Sequence, residues 1–197
     1  MGVEVLIITL LGGISMAKLF KLDKAINSIL YILGKLGGKT DMHKLCKILY
    51  FADQRHLSEY GRSITGDVYI AMQYGPVPSS VDDILKALRG DSFFSQSSEI
   101  DPLRKYITFE NKYILSSTLD PDLEELSGTD LTCLDSAIEL CKDKNFGELT
   151  AMSHGLAWSN SQKDRAISVK DILREAGDEE AYVEYIADKL KIQSSFL

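Results

Sequence analysis

Residues 42–78 read MHKLCKILYFADQRHLSEYGRSITGDVYIAMQYGPVP. They hold the longest uninterrupted helical pattern in the chain and its most unusual punctuation. Leu45, Ile48, Leu49, Ala52 and His56 recur at helical spacing, with Lys44, Lys47, Asp53 and Arg55 placed mostly on the other side. This spacing predicts a central amphipathic helix with one buried and one solvated stripe. Gly61 comes next, then a β-rich run from Asp67 to Gln73, then Tyr74-Gly75-Pro76-Val77-Pro78. Two prolines fix φ and push their preceding residues toward extended geometry, so we expect a rigid turn that aims the downstream chain.

Upstream, Leu22, Ala25, Ile26, Ile29, Leu30, Leu33 and Leu36 mark a first helix, which Gly37-Gly38 ends, and Thr40 offers a hydroxyl to cap the central helix. Downstream, Ser79 and Ser80 each have an aspartate three residues on, Asp82 and Asp83, and open a third helix with Val81, Ile84, Leu85 and Leu88 on one stripe and Gly90 at its end. Residues 91–102 are Ser-rich and poorly periodic and read as a loop. Tyr106 to Phe109 and Tyr113 to Leu115 read as a β-hairpin. The second half is helical: Leu131 to Cys141 with Thr129 or Asp130 as cap, Leu149 to His154, Val169 to Glu175 and Ala181 to Leu190. The expected fold is mainly α, a single helical domain with a small β-hairpin and a winged-helix-like order in its N-terminal half.

With 197 residues, 45% hydrophobic and 26% charged, the chain can bury one core. Its formal net charge of −7 argues against broad phosphate neutralisation. Helix, helix, helix, hairpin is the order of a winged helix, yet the third helix offers Asp82 and Asp83 against Lys86 and Arg89, and two carboxylates at its positive end meet phosphates badly. Nucleic acid is therefore not the expected partner. Three cysteines, Cys46, Cys133 and Cys141, are an odd number in a chain that does not need disulfides, which fits a reducing cytoplasm. The apolar run Val5 to Ile14 is too short to span a membrane and lacks a basic flank or cleavage site. We expect residues 1–15 to be an upstream or disordered extension, with Met16-Ala17-Lys18 opening the functional protein.

Catalytic and metal sites are not expected. Cys46 lies three residues from His43, beside Leu45 on a mainly apolar face, and reads as a buried structural thiol rather than a nucleophile. No C-x-x-C pair supports zinc; Gly12-Gly13 is followed by Ile14-Ser15, and Gly37-Gly38, although followed by Lys39-Thr40, has Leu33 where a phosphate loop needs its first glycine. The paired acids at Asp82-Asp83, Glu124-Glu125 and Glu179-Glu180 sit near helix starts, where carboxylates cap. His154 and Trp158 stand four apart: they share a face if the helix runs through Gly155, and if it stops there the indole can fold over the core. The expected arrangement has His154 bonded to a buried carbonyl and Trp158 packed.

Three blocks together carry a resemblance to a known family. The first is Lys44-Leu45-Cys46-Lys47-Ile48-Leu49-Tyr50-Phe51-Ala52. The second is Tyr60-Gly61 with Ala71-Met72-Gln73-Tyr74-Gly75-Pro76-Val77-Pro78. The third is Leu149-Thr150-Ala151-Met152-Ser153-His154 with Trp158. In order and spacing they resemble the Panacea domain, the SocA-like antitoxin family often labelled phage-associated, over about Leu22 to Trp158; Cys46 departs from the larger aliphatic more usual there. The resemblance implies a Panacea domain over residues 16–160, with residues 161–197 as helices packed on or extending it. It implies an antitoxin that blocks a toxin encoded nearby through protein contact, with no catalysis and no cofactor. Transcriptional control of its own operon and delivery of a partner to a protease are the alternatives. Candidate motif or contact residues are Tyr74, Gly75, Pro76, Val77, Phe93, Phe94, His154 and Trp158, the two adjacent phenylalanines being a plausible anchor if exposed.

Overall fold

The computed structural model describes residues 19–96 and 100–196. The proposed extension, residues 1–15, lies outside the described residues. The chain is mainly helical, with helices α1 (Leu22–Lys35), α2 (Met42–Tyr60), α3 (Ser79–Arg89), α4 (Gly128–Cys141), α5 (Phe146–Ser153), α6 (Leu156–Ser159), α7 (Val169–Ala176) and α8 (Glu180–Ser195). Strands β1 (Lys39–Asp41), β2 (Tyr69–Met72), β3 (Gly75–Pro78), β4 (Thr108–Phe109) and β5 (Ile114–Ser116) make two small antiparallel sheets. In the first, β5 lies between β1 and β4, pairing Thr40 with Leu115 and Phe109 with Leu115. Helices α1 to α3 with this three-stranded sheet form the winged-helix-like half. Strand β1 escapes sequence reading because three residues, Lys39 to Asp41, cannot display a period. It also moves the cap of α2: Thr40 is paired in the sheet, and Asp41 accepts from the Lys44 amide at 2.8 Å.

Residues 74–78 are not a turn that aims α3. Gly75–Pro78 is the return strand of a hairpin, with Met72 opposite Gly75, Ala71 opposite Pro76 and Tyr69 opposite Pro78, so only Gln73 and Tyr74 form the bend. Extended geometry suits both prolines, and their missing N–H groups place β3 at an edge. The other edge of β2 is covered by residues 164–167, through Ala71 N to Arg165 O (2.9 Å) and Ile167 N to Tyr69 O (2.7 Å).

Helix α2 is buried on both sides. One side packs with α1, α3 and α4 around Leu45, Ile48, Leu49, Ala52, Leu134 and Ile138. The other packs Tyr50 and Leu57 with Tyr69, Ala157, Leu173 and Ile186. Lys47 and Asp53, expected on a solvated stripe, are therefore 0% and 3% exposed. Asp53 is fully occupied: it accepts from Ile64 N (2.6 Å), Thr65 Oγ1 (3.0 Å) and Tyr69 Oη (2.8 Å).

Helix α3 takes its cap from outside its own first turn. The amides of Ser80 and Val81 donate to Asp67, each at 2.9 Å, so α3 is capped from the preceding loop and not by Asp82 or Asp83. Burial raises the Asp67 carboxyl to about 6. Helix α4 starts one turn earlier than expected, in a capping box between Ser127 and Asp130. Asp130, fully buried, also receives Lys24 Nζ (2.5 Å), Arg62 Nη2 (2.8 Å) and His56 Nε2 (3.0 Å), tying α1, α2 and α4 together. Two 3₁₀ turns, Phe93–Gln96 and Asp101–Lys105, punctuate the stretch read as a loop, and Ile100 and Leu103 drop into the core.

Candidate partner-binding site

Lys47 points off α2 beneath the β2–β3 hairpin, where its Nζ donates to Pro76 O at 2.8 Å. Among the described residues it has no carboxylate in ion-pair contact. Burial lowers its ammonium to about 8, which still leaves it charged at neutral pH. Gly75 closes directly over it: a Cβ there would lie 2.3 Å from Ser153 Oγ and 2.7 Å from Lys47 Nζ, and its φ of +100° is in the left-handed region. The glycine thus answers both a bend and a close approach.

The hairpin bend places Tyr74 beside the start of α5. The Tyr74 and Phe146 rings meet edge to face with centroids 5.2 Å apart, and Phe146 stacks on His43 at 4.1 Å. Tyr74 and Phe146 remain 50% and 51% exposed. His43 Nε2 sits 3.3 Å from Tyr74 O and 3.2 Å from Thr150 Oγ1. Since the carbonyl can only accept, Nε2 carries the hydrogen, and Nδ1 is left buried without a partner. Burial, and then the Lys47 charge, hold the His43 ring below its ordinary pKa.

On the other flank α5 stops at Ser153, and a new short helix, α6, starts after Gly155. The stop is enforced by Glu175 of α7. Its Oε2 accepts from Ala157 N (2.8 Å), its Oε1 from Tyr50 Oη (2.8 Å) and Gln54 Nε2 (2.9 Å), and a Cβ on Gly155 would come within 2.2 Å of that carboxylate. The break brings His154 and Trp158 face to face, centroids 3.7 Å apart and planes 3° apart. The expected bonding is exchanged: Trp158 Nε1 donates to Met72 O at 2.8 Å, whereas His154 Nε2 is buried without a partner. His154 too lies below its ordinary pKa, through burial and then the Lys47 charge.

Tyr74, Gly75, Pro76, His154 and Trp158 therefore converge on one hairpin tip. Val77 lies further along β3, opposite Ile70. Phe93 and Phe94 begin the 3₁₀ turn after α3, and their side chains lie outside the described residues. Sequence reasoning misses His43 and Phe146 as members of the cluster and Lys47 beneath it. A lysine inside the Lys44 to Ala52 run, placed among residues that pack on both sides, is the one available signal for the last.

Cys46 is buried and its thiol raised to about 12, while Cys133 and Cys141 are raised to about 11, in each case by burial first, so none is poised as a thiolate. Among the described residues no group of three or more His, Cys, Asp or Glu is placed to hold a metal ion, and no helix is long and apolar enough to cross a membrane.

No curated protein matches the chain, and no solved structure matches it. Residues 45–159, which hold all of the hairpin-tip cluster but His43, match the family described as antitoxin SocA-like, Panacea domain. That is more than half of the sequence, and the chain belongs to this family.

Proposed function

We propose that the protein is an antitoxin that neutralises a partner toxin by direct protein–protein binding in the cytoplasm, without catalysis and without a cofactor. Family membership supports the antitoxin role. The observation that favours a binding mechanism is the Tyr74–Phe146 pair, two half-exposed aromatic rings within the matched region, fixed by a stacked histidine. Rigid, partly exposed aromatics of this kind are the residues that dominate protein interfaces. Co-expression tests the reading: one neighbouring reading frame should arrest growth alone and become harmless with this gene. Failure of rescue with either neighbour would sink it.

The winged-helix half raises a regulatory alternative, and the charges of α3 weigh against it. Arg89 donates to Lys112 O at 2.7 Å and pairs with Asp91 at 2.8 Å, while Lys86 pairs with Asp82 at 2.5 Å. The cations a groove-reading helix needs are already engaged within the fold. Mobility-shift assays with the upstream DNA at low salt address this alternative, which a salt-sensitive shift would revive.

A further inference from the structure

We propose that the outward face of α8 docks a second copy of this chain, the two helices packing antiparallel about a two-fold axis. Helix α8 has two apolar faces. Val183 and Ile186 are buried with Tyr50, Leu57 and Leu173. On the opposite side Tyr185, Ile192 and Phe196 are 63%, 57% and 84% exposed. At about 100° per residue, Ala181, Tyr185, Asp188 and Ile192 line one stripe in alternating steps of four and three residues, and Phe196 continues it at the C-cap. Such steps are the spacing of a seam between two helices, whereas a solvated helix face is ordinarily filled with polar and charged residues.

The occupant follows from how the stripe matches itself. An axis passing between residues 187 and 188 sets Glu184 of each copy level with Lys191 of the other. The two lie on the same side of the seam, because seven residues are two turns less about 20°. The same axis sets Ala181, the smallest side chain of the stripe, level with the gap between Ile192 and Phe196 of the other copy, so small meets large. A parallel pairing opposes Ala181 to Ala181 and Ile192 to Ile192 instead. Charge permits the contact. Copies of a chain of net charge −7 repel one another, yet this stripe and its flanks carry Glu184 and Asp188 against Lys189 and Lys191 and sum to zero. Glu184 pairs with Lys170 at 2.6 Å, and its carboxylate has lone pairs for a second cation. Asp188, beside the axis, meets its own copy. That contact opposes association, and a seam of one helix is smaller than the standard interface of about 1,600 Å², so the dimer is a weak one.

Sedimentation equilibrium of the full chain at up to about 1 mM, the range a weak dimer requires, should show a monomer–dimer equilibrium; monomer throughout overturns the proposal. Tyr185→Ala/Ile192→Ala should melt at the wild-type temperature, since both side chains are more than half exposed, and should dimerise at least about 30-fold more weakly, the loss of one interface hot spot or more. Wild-type dimerisation in that variant puts the contact elsewhere and overturns the surface. Asp188→Leu should tighten the dimer, and a weaker one contradicts its place at the axis. Charge reversal tests the register. Glu184→Lys and Lys191→Glu should each dimerise more weakly alone, whereas an equimolar mixture should form heterodimers, in which both ion pairs exist again with their signs exchanged. A mixture no tighter than either variant overturns the antiparallel pairing. A wild-type chain that stays monomeric, with the Tyr185→Ala/Ile192→Ala variant losing the neighbouring-frame product, assigns the stripe to the toxin and overturns self-association. Dimerisation is measured without a toxin, so the antitoxin reading stands or fails separately.

Discussion

Lys47 Nζ donates to Pro76 O at 2.8 Å from a side chain with no solvent exposure. The bond fastens the β2–β3 hairpin to the middle of α2, but a neutral carbonyl does not offset the burial of a full charge. The ammonium, ordinarily near 10.5, is lowered to about 8 by burial. Below pH 8 both folded and unfolded chains hold the proton and the folded state carries the whole penalty. Between pH 8 and 10.5 only the unfolded chain holds it, so stability rises with pH; above that range the penalty is gone. At about 1.4 kcal/mol for each pKa unit the penalty is of order 3 kcal/mol, less the Pro76 hydrogen bond, worth about 1 kcal/mol.

Lys47→Met should therefore leave stability at pH 7 equal to wild type or higher, with the gap closing as pH rises from 8 to 10.5. Urea unfolding across that range measures it. A gap that does not change with pH would show that the ammonium is not the source. If toxin binding weakens in the same variant, a destabilising lysine is retained for its contribution to the contact.

Gly75→Ala puts a methyl group where Ser153 Oγ and Lys47 Nζ already sit, on a backbone with φ +100°. Conformation alone costs about 1–3 kcal/mol, and the collision adds to it because Ser153 is fully buried. We expect a loss of about 3 kcal/mol, read as a lowered urea midpoint, and loosening of the hairpin ahead of global unfolding in amide exchange. Gly34→Ala is the control: a Cβ there meets nothing within 4 Å, so it should be neutral or mildly stabilising.

Legibility in the sequence depends on whether a residue's environment is local. The stripes of α1 and α3 and the glycines that end them, Gly37 and Gly90, answer to helical period and left-handed φ, and are readable. Residues 74–78 mislead because two prolines mark extended geometry equally well in a turn and in an edge strand; only the pairing with Tyr69 to Met72 decides between them. Lys47 and Asp53 read as solvated because an amphipathic period assumes one buried face, whereas the β2–β3 hairpin covers Lys47 and residues 64–69 enclose Asp53 on the second. The cap of α3 escapes for the same reason, since Asp67 reaches it from the preceding loop. Of the candidate site, the motif residues are legible and the chemistry beneath them is not.

Trp158 is the only tryptophan in the chain, so its fluorescence reports the hairpin tip. Trp158→Phe keeps a ring against His154 but leaves Met72 O without its donor at 2.8 Å. A loss of about 1–2 kcal/mol is expected. Amide exchange should rise first at Tyr69 to Pro78. Protection unchanged there would mean that the indole N–H does not hold the tip.

Asp130 should set the acid limit of the fold. Burial alone would raise its carboxyl, but hydrogen bonds from His56, Lys24 and Ser127 outweigh it and hold the group well below the usual carboxylate range. For a depressed acid the sign is the reverse of that for Lys47. The stabilisation is complete above the unfolded value, near pH 4, and drains away as pH falls toward the folded value, where the native state must finally take up the proton. Asp130→Asn removes the negative charge while Lys24, Arg62 and His56 still converge on it. Such a broken buried pair costs about 3–5 kcal/mol. The wild-type chain should therefore lose stability steeply between about pH 4 and pH 2, and Asp130→Asn should start lower at pH 7 and fall less over the acid range. Parallel acid-unfolding curves for the two chains would assign the acid limit to other carboxylates.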